Sequence, residues 1–142
     1  MSGWFVAHLA ATGAMVGFIW TVQLLSYPMM AAVPEEVFVD YEAAHQRRIT
    51  MVLAALAPAE LVTAIGVAVV ASDVPAWLTL GAGTILAAIW VTTGVYYAPL
   101  HARLADGFDG DLHRRLVVTN WWRTGAWAVR GAAAAAMVAI AA

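Results

Sequence analysis

Cysteine and lysine are both absent from this 142-residue chain, and charge of either sign is scarce. Without cysteine there is no disulfide, no thiolate metal ligand and no thiol nucleophile. All seven basic residues are arginine, and charged residues make up 11% of the chain, against about a quarter in an ordinary soluble domain. A net charge of −2, with no basic run and no aromatic RNA-binding motif, points away from a nucleic-acid partner. No glycine-rich loop that could cradle phosphate appears, and no serine-centred nucleophile arrangement. What remains is apolar: 63% hydrophobic residues and a mean hydropathy of +0.79.

Four apolar segments stand out, at residues 4–27, 49–71, 76–98 and 116–141. Each reaches the roughly 20 residues that a helix needs to cross about 30 Å of hydrocarbon. They predict an all-α integral membrane protein, a single four-transmembrane-helix domain over 1–142 built as an antiparallel bundle. The first segment has no Lys or Arg before it and a longer apolar run than a signal peptide's, so it is expected to stay in the mature protein. Arg47 and Arg48 lie between the first two segments, and Arg103, Arg114 and Arg115 between the last two. Arginine is retained on the cytoplasmic side, which predicts an integral cell (inner) membrane protein with both termini extracytoplasmic.

Local signals place the helix ends. Pro34-Glu35-Glu36 starts helix 2 well before the lipid, and Asp109-Gly110-Asp111 offers an N-cap to helix 4. Helices 2 and 4 are therefore expected to extend beyond the cytoplasmic face. Tyr27-Pro28 and Ala98-Pro99 are expected to end helices 1 and 3, and Pro58 to kink helix 2. Gly13-x-x-x-Gly17, with Gly81 and Gly83, allows close helix approach within the chain or between copies, so a homo-oligomer is one expectation.

The rare polar residues fall in layers. His45, His101 and His113 each sit three or four residues outside an apolar segment, at the cytoplasmic edge, and Glu42 lies one turn from His45. Glu-x-x-His spacing supplies ligands for a transition metal, or the group holds a haem, or the same residues act as acid and base. The plainer alternative is interfacial histidines that contact headgroups and acids.

Deeper lie Gln23 and Trp20 on helix 1, Trp90 and Thr93 on helix 3, and Asn120, Arg123 and Trp127 on helix 4. Helical spacing lines up Gly13, Val16, Trp20, Gln23 and Tyr27 on one face of helix 1, and Trp90, Gly94 and Tyr97 on one face of helix 3. Such faces predict a pocket for a hydrophobic aromatic or quinone-like molecule, with Asn120 and Arg123 orienting its oxygen. The alternative is hydrogen-bond glue between helices. Glu60 lies about 16 Å into the apolar segment of helix 2, counted from Ile49, and Arg130 about 21 Å into that of helix 4, counted from Leu116. Side chains lean toward the helix N-terminus, which makes these two the expected buried ion pair.

The segments Tyr27-Pro28, Tyr41-Glu42-x-x-His45-x-x-Arg48-Ile49, Pro58-x-Glu60, Pro99-Leu100-His101-x-x-Leu104 and Asn120-Trp121-x-Arg123-Thr124-x-x-Trp127 together resemble the small four-helix bacterial membrane proteins grouped with the anthrone-oxygenase-like family. That resemblance implies oxidation of an aromatic polyketide such as an anthrone to a quinone. Two functions are thus expected: a membrane oxidoreductase or oxygenase-like protein acting on a hydrophobic aromatic molecule, metal-assisted or not, or a non-enzymatic membrane module, an accessory subunit or small oligomeric carrier held by a Glu–Arg pair.

Overall fold

The computed structural model describes residues 2–142, which are 89% helical with no strand among them. Four long helices carry the chain: α1 (Gly3–Met30), α2 (Glu35–Val70), α3 (Ala76–Leu104) and α4 (Gly110–Ala141), each long and apolar enough to span a membrane. α1 begins at Ser2, whose Oγ accepts from the Trp4 N–H. α4 begins at Asp109, whose carboxylate accepts from the backbone N–H groups of Asp111 and Leu112, both at 2.9 Å. α2 opens on Pro34 with Glu35 and Glu36 in its first turn and passes through Pro58 without ending.

Pro28 and Pro99 do not end their helices, contrary to expectation. Proline cannot donate to the carbonyl four residues back, and its ring crowds that carbonyl. Both helices resolve the conflict by widening just upstream into a π-helical turn, at Val22–Ser26 in α1 and Thr93–Tyr97 in α3. The Tyr27 N–H then bonds to the Val22 carbonyl, and the Ala98 N–H to that of Thr93, five residues back in each case. The helices run on to Met30 and Leu104, and the widened turns carry Gln23 and Tyr97 into the interior.

α1 packs most extensively on α4 and next on α2; α3 leans on α4, while α2 and α3 meet around His101 and are only sparsely in contact over the half toward the 71–75 turn. One apolar cluster, including Ile19, Tyr27, Phe38, Ile89, Leu104, Leu116 and Trp127, fills the half nearest the 31–34 and 105–109 loops, and a smaller one around Phe5, Val67, Ala82 and Met137 fills the other. No atom approaches the position a Cβ would take at Gly13, Gly17, Gly81 or Gly83, so these glycines do not serve close approach within the chain. Gly66 does: the Trp4 indole lies where its Cβ would be. Gly66→Ala is expected to lower stability in detergent by about 1 kcal/mol, the low end for overpacking because the half-exposed Trp4 can swing aside. The thermal midpoint checks this, and in a Trp4→Ala background the same change is expected to cost nothing.

Candidate functional site

Polar side chains meet inside the helices at three levels. At the first, near the 31–34 and 105–109 loops, Tyr27 Oη lies 3.0 Å from His101 Nε2, and His101 Nδ1 lies 2.7 Å from Glu42 Oε1. An ionised carboxylate only accepts, so Nδ1 carries the proton and Nε2 accepts from the Tyr27 hydroxyl. Tyr27, His101 and Glu42 thus form a directed chain from phenol through imidazole to carboxylate, with Glu42 fully buried. Gln46 Nε2 steadies both ends of the imidazole's support, donating to Glu42 Oε1 and to the His101 carbonyl, each at 3.1 Å. Glu42 Oε2 has no partner.

His45 stacks between Tyr41 and His101, with ring centroids 6.2 and 6.0 Å away. It lies outside the apolar segment that begins at Ile49; burial lowers its pKa below the ordinary imidazole value, with the Glu42 carboxylate opposing that shift. It is therefore held neutral at pH 7. His113 turns elsewhere: its Nε2 donates to the Tyr27 carbonyl at 2.7 Å, and Phe108 packs against its ring. That carbonyl is one of those left without an intrahelical partner at the end of α1, and His113 satisfies it.

His45, His101, His113 and Glu42 consequently do not converge as the expected metal set. Both His101 nitrogens are engaged, the free edge of His113 serves a backbone carbonyl, and no group of three or more His, Asp or Glu able to hold a metal occurs among the described residues.

At the second level Asn120 Nδ2 donates to Gln23 Oε1 at 2.7 Å, and Gln23 Nε2 to the Val117 carbonyl at 3.1 Å. Tyr97 Oη donates to the Thr119 carbonyl at 2.8 Å, and the Arg123 guanidinium lies over the Tyr97 ring, 4.5 Å from its centroid. Arg123 also faces the Tyr27 side chain, which joins this level to the first. Asn120 Oδ1, Arg123 Nε and Trp127 Nε1 are buried with no protein partner. An unpartnered acceptor and two unpartnered donors on one stripe of α4 are unusual in an interior, where nearly all polar atoms are paired. Thr93 and Trp90 leave this set. The Thr93 hydroxyl donates to the Ile89 carbonyl of its own helix, and Trp90 lines a cleft between α2 and α3.

The third level lies toward the 71–75 turn. Arg130 Nη2 donates to Glu60 Oε1, and Arg130 Nη1 to the Ala82 carbonyl. The Thr12 hydroxyl is shared between the two Glu60 oxygens at 3.1 and 2.9 Å, and His8 Nδ1 lies 4.0 Å from Oε2. All four helices thus meet at one carboxylate–guanidinium pair.

Counting residues could not supply the full set. Tyr27 falls on the expected inward face of helix 1, but spacing along one helix carries no signal for its hydroxyl's partner, His101 on α3. Thr12 and His8, one turn apart in an otherwise apolar run, carry a polar signal on the face that meets Glu60. The chain matches no protein-family model, no curated protein and no solved structure.

Proposed function

We propose that the four helices form an antiparallel bundle in the cell (inner) membrane, with both termini extracytoplasmic and the Tyr27–His101–Glu42 chain at the cytoplasmic side, and that the protein is an oxidoreductase of the oxygenase type acting on a hydrophobic aromatic or quinone-like molecule. Arg47 and Arg48 beyond the 31–34 loop, and Arg103, Arg114 and Arg115 around the 105–109 loop, support that orientation. The observation that carries the function is the directed hydrogen-bond chain from Tyr27 Oη through His101 to Glu42, with the Arg123 cation beside it.

Such a chain moves a proton. As Tyr27 passes its phenolic proton to His101, the imidazolium is held by Glu42, and the phenolate oxygen can take an acidified C–H proton from a substrate. Arg123 Nε, which has no protein partner, stabilises the enolate oxygen that forms. For an anthrone-type substrate the co-reactant is dioxygen. The CH2 carbon loses two hydrogens and gains one oxygen as a carbonyl, the other oxygen leaves as water, and dioxygen accepts all four electrons. The test is anthrone added to detergent-purified protein, with oxygen uptake and anthraquinone absorbance followed together. One dioxygen consumed per quinone, faster than without protein, is expected; a rate equal to the protein-free control retires the reading.

A second reading rests on a different observation. The Glu60–Arg130 pair, with Thr12 and the Ala82 carbonyl, ties all four helices together in a fully buried position, which suits a non-enzymatic membrane module, an accessory subunit or small oligomeric carrier, whose charges lock its packing.

A further inference from the structure

The sparse contact between α2 and α3 leaves a cleft of about 720 Å³ between Leu61, Ala64 and Ile65 on one side and Leu80, Gly83 and Trp90 on the other. Leu61, Ile65 and Leu80 are exposed at its mouth, so in a bilayer it opens sideways into lipid. The walls are almost wholly apolar, and its size is that of a small-molecule site. Four polar residues line it: the Thr79 and Thr84 hydroxyls donate to the Ala76 and Leu80 carbonyls of their own helix, while His8 and Arg130 are 4% and 2% exposed. None is used by the Tyr27–His101–Glu42 chain.

The protonation of His8 is set by its partner. The Thr63 hydroxyl donates its one hydrogen to the carbonyls of Ala59 and Glu60, at 2.8 and 3.1 Å. With its hydrogen directed at these carbonyls, the same oxygen is left to accept from His8 Nδ1, 3.2 Å away. In the neutral tautomer that this arrangement fits, Nδ1 carries the hydrogen and Nε2 keeps its lone pair, for which the described residues supply no hydrogen-bond partner. Behind it, Arg130 is already neutralised by Glu60, while its Nε has no protein partner. The inner end of the cleft thus offers an acceptor beside a charge-compensated guanidinium. That combination favours a neutral ligand with a hydroxyl, which donates to Nε2, over a carboxylate, which His8 cannot serve and which Glu60 repels.

We infer that this cleft is a second site, which binds a membrane-dissolved phenol or hydroquinone with its hydroxyl on His8 Nε2 and its rings along Trp90 and the aliphatic walls. The inference goes beyond the oxygenase reading, and its test measures binding rather than turnover. The probes are 1-naphthol and its methyl ether, which has the same rings and no hydroxyl to donate, titrated into detergent-purified protein. The variants are His8→Leu and Gly83→Phe. A Cβ at Gly83 meets nothing within 4 Å, and Gly83 lines the cleft, so Gly83→Phe is expected to occupy the cleft and to read the micelle background, with an unchanged thermal midpoint as the check that it folds.

Naphthol is expected to bind saturably and about tenfold more tightly than the ether, the value of one buried hydrogen bond. His8→Leu is expected to bring the two probes to equal affinity, and Gly83→Phe to abolish saturable binding of both. Equal binding of the two probes by the unaltered protein leaves only an acyl-chain groove and overturns the proposal. Binding that survives Gly83→Phe places the ligand elsewhere and overturns it as well. If the naphthol pattern holds while anthrone is not oxidised, the site stands and the oxygenase reading falls.

Discussion

Glu60→Ala is expected to cost about 3–5 kcal/mol of stability, because it leaves the Arg130 charge buried with no counter-charge. In lipid the usual escape is closed. A surface arginine released from its partner turns to water, but Arg130 lies deep in α4 and retains only the Ala82 carbonyl. Thr12 loses its acceptor in the same change. Glu60→Gln is expected to be milder, since an amide oxygen still accepts from Arg130 and Thr12, though without the charge. The decisive comparison is the double variant Glu60→Leu with Arg130→Met. Replacing both members of a buried pair by apolar groups of similar size removes the desolvation cost together with the attraction. It should therefore recover most of the loss. Thermal midpoints of the three variants in one detergent measure this. A double variant as unstable as Glu60→Ala would deny that the pair is a self-contained lock and would point to an indispensable role for the carboxylate in holding Thr12 and His8.

That pair was legible from depth alone, because Glu60 and Arg130 lie at comparable distances along apolar helices and few other charges compete. The four helices were legible for a similar reason, since about 20 apolar residues in a row leave little alternative. Depth does not give azimuth, however. Trp90, Gly94 and Tyr97 share a face only if α3 keeps 3.6 residues per turn, and the π turn at Thr93–Tyr97 adds a residue between them. One extra residue rotates the downstream part of a helix by about 100°. Tyr97 therefore reaches Thr119 and Arg123 while Trp90 faces the α2–α3 cleft. The same event in α1 leaves Trp20 half-exposed against Trp121 while Gln23 and Tyr27 are buried. Pro28 and Pro99 were visible, but whether a proline ends a helix or widens it depends on what can pack beyond it. Here Met30 and Leu104, both fully buried, repay the continuation. That the histidine layer forms no metal-holding group among the described residues has a related reason. Counting put three imidazoles at one height, and only hydrogen-bond partners decide where their lone pairs go.

His101→Ala is expected to lower anthrone oxidation by about 10²–10⁴-fold, the usual contribution of a positioned acid–base group. The variant is ambiguous by itself. Without the imidazole, Glu42 keeps only Gln46 as a partner in a fully buried position, so stability falls too, and lost activity can follow from lost fold. Tyr27→Phe separates the effects. It removes one hydroxyl, keeps the ring that fills the core, leaves the His101–Glu42 contact intact, and spares the backbone carbonyl that accepts from His113. If the three residues act as one proton path, Tyr27→Phe is expected to lose nearly as much activity as His101→Ala while keeping its thermal midpoint, and the double variant to be no worse than either single one. Multiplying losses would mean that Tyr27 and His101 act on different steps. Full activity in Tyr27→Phe would assign the chain to packing, where the phenol only orients an imidazole that holds the ends of α1, α2 and α3 together.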